Sequence, residues 1–248
     1  MSVMAIVIAC GKEEEIASGT EAAFLPLGSG PILSHSLKTL ENADCIDSIV
    51  VVVRKERVDP TIHAIKRFGC TKVRGVVVGG VNRMSSLRTV FSKIKTDPGV
   101  VVIHEASRPF LTRSVLSETV KRAKRYGCAI AAHKIKDATK FAPKGNRVVE
   151  TLDRNTIWSA QTPQAFKTAV IKEIISTKNK GTKLIDDESS LVSSSSEIHL
   201  VEAGFENMKI RSRSDLEIAA ALLHAKLVGE GGAAGEIARK QQASAGAV

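Results

Sequence analysis

With 248 residues, of which 43% are hydrophobic and 25% charged, the chain has an ordinary globular composition and suffices for one full domain. The net charge of +10 indicates anionic partners such as nucleotides or sugar phosphates, although a solvated basic surface explains the same excess. An aromatic content of only 4% argues against a nucleic-acid binder that stacks bases, and the lysines and arginines are scattered.

The cysteines and the first ten residues exclude two further classes. Cys10, Cys45, Cys70 and Cys128 show no C-x-x-C spacing and no accompanying His cluster, which predicts buried thiols in a reducing cytoplasm instead of a zinc site. The apolar segment "MSVMAIVIAC" is too short to span a membrane and lacks a basic leader. We therefore expect it to be the first strand of a cytoplasmic protein that makes no membrane contact.

Short β-branched runs alternate with segments that carry apolar residues at three- and four-residue spacing. The runs are apolar on both parities, which predicts strands covered on two faces in the mainly parallel open sheet of an α/β fold. The predicted strands of this part are 5–9, 48–53, 73–79, 99–104 and 129–135, and the predicted helices between them are 31–42, 60–69, 82–94 and 112–127.

The pattern changes after residue 136. The turn signal "PKGN" (143–146) lies between two short strand-like pieces, which predicts a β-arm at about 137–160 that leaves the main sheet. A helix from about Gln164 to Thr177, a strand at 197–203 and a last helix from about Ser214 to Val228 follow. We assign 1–228 to one domain and expect the Gly- and Ala-rich tail 229–248 to be disordered.

Ligands of an open α/β sheet gather beyond the carboxyl ends of the strands, which singles out four loops. They are 10–20, "GGVNR" (79–83), "HEASRP" (104–109) and "FENMK" (205–209). The third has the most charged chemistry, although a capped helix start with Glu105 and Arg108 paired at the surface is a plainer interpretation. Gly79 and Gly80 allow close approach of a ligand, but a tight strand-to-helix turn explains them equally well.

Together these segments resemble the cytidylyltransferases that make the diphosphocytidyl intermediate of the methylerythritol phosphate route to isoprenoids. "GGVNRMSSL" resembles the family's G-G-x-x-R-x-x-S-V, and "VVIHEASRPF" resembles V-L-V-H-D-A-A-R-P. "TLDRNTIWSAQTPQAF" is similar to T-x-D-R-x-x-L-W-x-x-Q-T-P-Q-x-F, and "IDDESSLV" and "ENMKIRSRSDLEIA" match two further motifs. The resemblance runs from about residue 4 to 228 and implies a single Rossmann-like nucleotidyltransferase domain with a protruding β-arm.

The family transfers a cytidylyl group from CTP to a sugar-alcohol phosphate, with ribitol phosphate as the acceptor in a near relative. Such transfer requires a protein to hold two polyanions in line and to neutralise the charge that develops on phosphate oxygens. The resemblance places Arg154, Thr162 and Lys209 on the acceptor phosphate, with Arg108 and Asp137 also at the acceptor. Arg154 would come from the arm, which in this family crosses to a partner subunit of a homodimer. A salt bridge of Arg154 to Asp153 and an exposed Lys209 are the plainer alternatives.

The resemblance also implies a nucleotide site and a metal site. Cys10, Gly11, Lys12, Gly79, Gly80, Arg83 and Ser86 would surround the nucleotide, with Arg83 bracing its loop. Glu105 and Glu206 stand where the family has the aspartates that bind Mg²⁺, and each is one methylene longer. Ala138 replaces a Thr of the family beside Asp137, which removes one hydroxyl contact to the substrate.

The loop after the first strand departs from the family pattern A-A-G-x-G-x-R-M…P-K-Q. Glu15 stands for the Arg and Ala22 for the Lys, the two cations that stabilise the transition state on the triphosphate. Glu13, Glu14 and Glu15 make this loop acidic, although consecutive acids often form a solvated segment. Three functions follow: a cytidylyltransferase of impaired activity, a non-catalytic or repurposed paralogue that keeps the sugar-phosphate pocket, and a basic nucleic-acid binder, which the composition disfavours.

Overall fold

The computed structural model describes residues 1–11, 14–17, 20–80, 82–143, 145–176 and 197–228. Its main element is a seven-stranded sheet. The strands of this sheet, in chain order, are β1 (Val3–Ile8), β6 (Ser48–Val53), β7 (Val73–Val78), β8 (Val100–Glu105), β9 (Gly127–Lys134), β12 (Trp158–Lys167) and β13 (Glu197–Glu202). The helices are α1 (Ile32–Glu41), α2 (Val58–Arg67), α3 (Arg83–Lys93), α4 (Arg113–Tyr126), α5 (Thr168–Ser176) and α6 (213–228). The remaining strands are short pairs: β2 (Glu15–Ala17) with β3 (Thr20–Glu21), β4 (Pro26–Leu27) with β5 (Gly30–Pro31), and β10 (Lys140–Phe141) with β11 (Glu150–Thr151).

The sheet order is β13-β9-β12-β8-β1-β6-β7, and every neighbouring pair that does not involve β12 is parallel. This confirms the predicted α/β fold with a mainly parallel sheet. The strand predicted at 48–53 is β6 to the residue. No helix in the described ranges is both long and apolar enough to cross a lipid bilayer.

The sequence prediction was wrong at residues 164–167. They continue strand β12, which pairs antiparallel with β8 on one side and β9 on the other, and helix α5 begins only at Thr168. The pairing with β9 shifts register between Ala160 and Gln164. Pro163 lies in that irregularity, where its missing N–H breaks no ladder hydrogen bond. Because proline is rare inside strands, the local sequence pattern does not predict a strand at these residues.

Two apolar layers cover the sheet because alternate residues of each strand face opposite sides. On β1, Ala5 and Val7 pack in the cluster that includes α1 and α4, whereas Ile6 and Ile8 pack in the cluster that includes α3 and α5. All four residues are at most 2% exposed. The polar residues that follow the strands are therefore left at the edge of the sheet, where the candidate site lies.

A third apolar cluster joins the C-terminal helix to the segment that follows the loop after β1. It contains the buried residues Ala22, Leu27, Ile32, Phe110, Ile210 and Ala219, with Leu216, Leu222 and Leu223 packed against them. Leu216, Ala219, Leu222 and Leu223 recur at three- and four-residue spacing, so they form one face of α6. That face fixes the position of residues 22–32 relative to the sheet.

The segment between β9 and β12 leaves the main sheet. Its two short strands, β10 and β11, pair antiparallel with each other, and Gly145 and Asn146 adopt positive φ angles at the turn between them. Phe141, Val148 and Val149 are each about half exposed or more, at 48%, 54% and 65%. This segment is the protruding arm of the fold, and it presents apolar side chains to solvent.

Candidate active site

A buried group of charged residues lies at the carboxyl edge of the sheet, where the parallel strands end. Glu105, the last residue of β8, is 7% exposed, and three cations bind its carboxylate. Arg83 Nη1 lies 3.1 Å from Oε1, Lys209 Nζ lies 2.8 Å from Oε1, and Arg108 Nε lies 2.6 Å from Oε2. The plainer interpretation of a surface pair is therefore wrong in one respect, because Glu105 and Arg108 do pair but are buried.

Lys209 binds a second carboxylate from the loop after β1. Its Nζ lies 2.8 Å from Glu14 Oε1, and the side chains of Lys209 and Glu14 are 4% and 2% exposed. Lys209 is thus not an exposed lysine. Arg83, Arg108, Lys209, Glu14 and Glu105 are called the buried ion cluster below.

The two carboxylates of the buried ion cluster have opposite pKa shifts. Burial alone would raise the pKa of Glu105, but the charges of Lys209, Arg108 and Arg83 outweigh it and hold that pKa well below its usual range. Burial raises the pKa of Glu14, and Lys209 opposes that shift only in part. Glu105 is therefore the firmly ionised anchor of the cluster.

Thr162 and His104 form a hydrogen-bonded pair beside the cluster. Thr162 Oγ1 accepts a hydrogen bond from the Glu105 backbone N–H at 3.0 Å and lies 3.0 Å from His104 Nδ1. His104 Nε2 lies 3.2 Å from the Arg108 carbonyl oxygen, which can only accept, so Nε2 carries the proton and Nδ1 accepts from the Thr162 hydroxyl. Burial, with the nearby charge of Arg108, lowers the pKa of His104 to about 4.

Several residues that were predicted to surround the nucleotide lie together near the ends of β1 and β7. Ser86 Oγ accepts a hydrogen bond from the Gly80 N–H at 3.0 Å and lies 3.7 Å from Cys10 Sγ. A Cβ atom at Gly79 would lie 2.4 Å from Cys10 Sγ, so only glycine fits there. Gly11 turns the chain after β1 with a φ of 107°, and Lys12 lies outside the described residues.

Glu15 and Glu21, in the segment after β1, pair with arginines that follow the neighbouring strand β6. Glu15 pairs with Arg54, which directly follows β6, and Glu21 Oε2 accepts from Arg57 Nη2 at 2.9 Å. Arg54 Nε also lies 3.4 Å from Glu21 Oε1. Glu14 and Glu21 are each 2% exposed, so the alternative of a solvated acidic segment is wrong for these two residues. Sequence reasoning missed Arg54 and Arg57, although "RKER" follows a predicted strand at the same edge.

Ala22 faces the apolar interior of the protein. It is fully buried in the third apolar cluster with Leu27, Ile32 and Phe110. A longer side chain at this position would enter that cluster. The backbone at residue 22 is therefore arranged for a small apolar side chain.

Three predicted site residues lie on the surface, away from the buried ion cluster. Asp137, Arg154 and Glu206 are exposed, and Arg154 donates a hydrogen bond from Nη1 to the Lys136 carbonyl oxygen at 3.1 Å. Within the described part of the chain, no three His, Cys, Asp or Glu side chains are grouped to hold a metal ion. Because cations take both oxygens of Glu105, this carboxylate and Glu206 do not fit a magnesium site in this arrangement.

A cavity of about 300 Å³ opens beside the buried ion cluster. Arg108 and Lys209 line it, and its other charged or polar walls are His133, Ser159, Gln161, Arg211 and Asp215. Gln161 is fixed there, because its Nε2 lies 3.0 Å from His133 Nδ1 and its Oε1 accepts from Asn207 Nδ2 at 2.9 Å. Three cations and one acid around a cavity of this size suit a small anionic ligand.

Residues 3–225 match the family model described as 2-C-methyl-D-erythritol 4-phosphate cytidylyltransferase. The protein of that name from Alkaliphilus oremlandii is 30% identical over 226 residues, which cover 90% of this chain and 96% of that protein. The protein of the same name from Clostridium tetani is 33% identical over 213 residues, or 86% of each chain.

The fold is also that of solved structures. The crystal structure of 4-diphosphocytidyl-2C-methyl-D-erythritol synthase from Anaerococcus prevotii superimposes with a TM-score of 0.79 at 24% identity. The alignment covers 90% of this chain and 96% of that one. At this identity the likeness concerns the fold.

Proposed function

Because the chain belongs to the 2-C-methyl-D-erythritol 4-phosphate cytidylyltransferase family, we propose that it transfers a cytidylyl group from CTP to 2-C-methyl-D-erythritol 4-phosphate. An oxygen of the acceptor's phosphate attacks the α-phosphorus of CTP and forms the new P–O bond. The bond between the α-phosphorus and the oxygen that bridges to the β-phosphate breaks, and pyrophosphate leaves. The product is an isoprenoid precursor.

The observation that carries the proposal is the position of Arg108 and Lys209. Both belong to the buried ion cluster and both line the cavity. Glu105 binds each of them, so the cavity has two positively charged side chains whose positions are fixed. A guanidinium suits bidentate contact with phosphate, and an ammonium adds a point charge. We assign the acceptor phosphate to this cavity. We assign the cytosine to Gly79, Gly80 and Ser86, which lie at the same edge of the sheet.

The transfer is slow in this proposal because the loop after β1 opposes the triphosphate. The family's two loop cations are replaced by Glu15 and Ala22, and the loop is held by its ion pairs to Arg54 and Arg57. Electrostatic stabilisation of the transferring phosphoryl group is the main contribution that an enzyme of this kind makes. The second candidate function is therefore a non-catalytic paralogue that binds the sugar phosphate, and the replacement of both loop cations by Glu15 and Ala22 favours it.

The arm supports a homodimer. Its apolar side chains Phe141, Val148 and Val149 are exposed, and Arg154 and Asp137 lie at its base, where a second subunit's cavity would complete their role. Light scattering of the protein and of a Phe141→Asp, Val149→Asp variant measures this directly. A monomeric wild-type protein would contradict it.

Pyrophosphate release tests the activity itself. Purified protein is incubated with CTP, 2-C-methyl-D-erythritol 4-phosphate and Mg²⁺, and release is compared between the wild type and Lys209→Met. Slow release that Lys209→Met abolishes supports the enzyme, with Lys172→Met as the control because Lys172 is exposed and pairs with Asp97 away from the cluster. No release at high protein concentration, with the acceptor still bound in calorimetry, supports the non-catalytic paralogue.

A further inference from the structure

Glu14 has no role in the proposed transfer, yet it is one of the most deeply buried charges of the described chain. It comes from the loop after β1 and is 2% exposed, and its Oε1 binds the Nζ of Lys209 at 2.8 Å. Lys209 is the cation to which we assign the acceptor's phosphate. A carboxylate of the protein thus already binds the ammonium group that the incoming phosphate would need.

The contact between Glu14 and Lys209 is only half satisfied. Among the described residues, Lys209 is the one cation that binds Glu14; its Oε2 has no partner in good hydrogen-bond geometry, and the Ser107 hydroxyl is its remaining side-chain contact. A buried carboxylate that stabilises a fold normally has both oxygens bonded, because leaving one unpaired costs free energy. By contrast, cations bind both oxygens of Glu105. Glu14 is therefore the exchangeable member of the two carboxylates.

The charge of the buried ion cluster leads to the same conclusion. Three cations and two carboxylates give the cluster a net charge of +1 among its described members. When Glu14 is displaced, the charge becomes +2, and Lys209 keeps its contact with Glu105. A phosphate monoester dianion matches a site of charge +2 better than one of +1.

From these contacts we infer that Glu14 is an internal anion that competes with the acceptor's phosphate monoester for Lys209. The acceptor binds by displacing Glu14 from Lys209, and the loop after β1 moves with it. Glu14 thus determines the affinity for the acceptor without taking part in bond formation. This inference rests on the proposed function for the assignment of the acceptor, but it concerns binding and does not require turnover.

Calorimetric titration with 2-C-methyl-D-erythritol 4-phosphate in the absence of CTP tests the competition. Glu14→Gln removes the charge and keeps the size of the side chain, so we expect it to bind the acceptor about tenfold more tightly than the wild type. Glu118→Gln makes the same change at a half-exposed residue of α4, which pairs with Arg122, and its affinity should equal that of the wild type. If Glu14→Gln binds no more tightly, or more weakly, Glu14 does not compete.

Hydrogen–deuterium exchange of the wild-type protein gives a second readout that needs no variant. Saturation with the acceptor should speed amide exchange in peptides that contain Glu14, because the loop loses its contact with Lys209. Unchanged or slower exchange there would overturn the inference even if Glu14→Gln does not fold. Failure of the proposed function is a separate result, since it appears as absent pyrophosphate release in the wild type while acceptor binding and its dependence on Glu14 persist.

Discussion

Exchanging the charges of Glu15 and Arg54 tests whether the sign of the loop after β1 limits CTP binding. The double variant Glu15→Arg, Arg54→Glu keeps an ion pair between positions 15 and 54 and the net charge of the protein, and it replaces the contact of Arg54 with Glu21 by a repulsion. It places the cation on the loop, at the position that the resemblance aligns with the family's arginine. Glu15→Arg alone sets two guanidinium groups against each other. Because the pair is partly exposed, with side-chain exposures of 18% and 35%, we expect this repulsion to cost about 1 kcal/mol of stability.

The gain in CTP affinity follows from the charge reversal. Two unit charges about 4 Å apart interact by roughly 4 kcal/mol at an effective dielectric constant of about 20. Turning repulsion of the triphosphate into attraction thus changes the interaction by up to about 8 kcal/mol before the loop relaxes and counterions respond. One third of that value corresponds to an increase in affinity on the order of a hundredfold.

Calorimetric titration with CTP in buffer that contains Mg²⁺ measures this gain. The matched control is Asp97→Lys, Lys172→Asp, which exchanges an exposed pair at the opposite edge of the sheet and should leave CTP affinity unchanged. The reasoning is refuted if the wild type already binds CTP as tightly as the exchanged protein. In that case Arg54 already supplies the counter-charge from the end of β6.

Three further predictions concern buried groups. Ala22→Lys should lower the free energy of unfolding by at least about 2 kcal/mol, because the ammonium enters an apolar cluster; an unchanged melting temperature would mean that the site has room for it. Glu105→Gln leaves three buried cations without their shared anion and should cost about 3 to 5 kcal/mol in urea unfolding, against little change for Glu118→Gln. Because the pKa of His104 falls from 6.5 to about 4 in the fold, the unfolded chain takes up a proton there first as the pH drops. The lowered pKa of His104 therefore leaves the free energy of unfolding unchanged above pH 6.5 and reduces it by up to about 3 kcal/mol at pH 4. The free energy of unfolding of His104→Gln should accordingly fall less steeply between pH 6.5 and pH 4 than that of the wild type.

Local pattern predicts most of the sheet but not its one reversed strand. Residues 49–53 are β-branched throughout, and Ser48 and Arg54 bound them, so this strand follows from the sequence. In β12, Pro163 and the polar Gln161 and Gln164 carry no strand signal, and the strand exists because β8 and β9 bury it from both sides. Such long-range pairing overrides local propensity.

The edge that carries the site was predictable, whereas its ion pairs were not. The rule that ligands gather beyond strand ends places Glu105, Arg108 and Lys209 at one edge, and the structure brings them within hydrogen-bond distance. The partners of Glu14 and Glu15 come from distant segments, which no spacing in the loop itself reveals. The roles of the individual site residues in binding and turnover stay predictions.

Helix α6 contributes no side chain to the buried ion cluster, yet the geometry of the loop depends on it. Its apolar face closes over Ala22, Leu27 and Ile32, and Leu223 Cδ2 would lie 2.6 Å from a Cβ atom at Gly28. The last described helix thus packs against the segment that follows the loop after β1, and this contact joins the two ends of the described chain. A protein truncated before residue 213 would retain Glu14, Glu105 and Lys209 and would still lose the support that orients them.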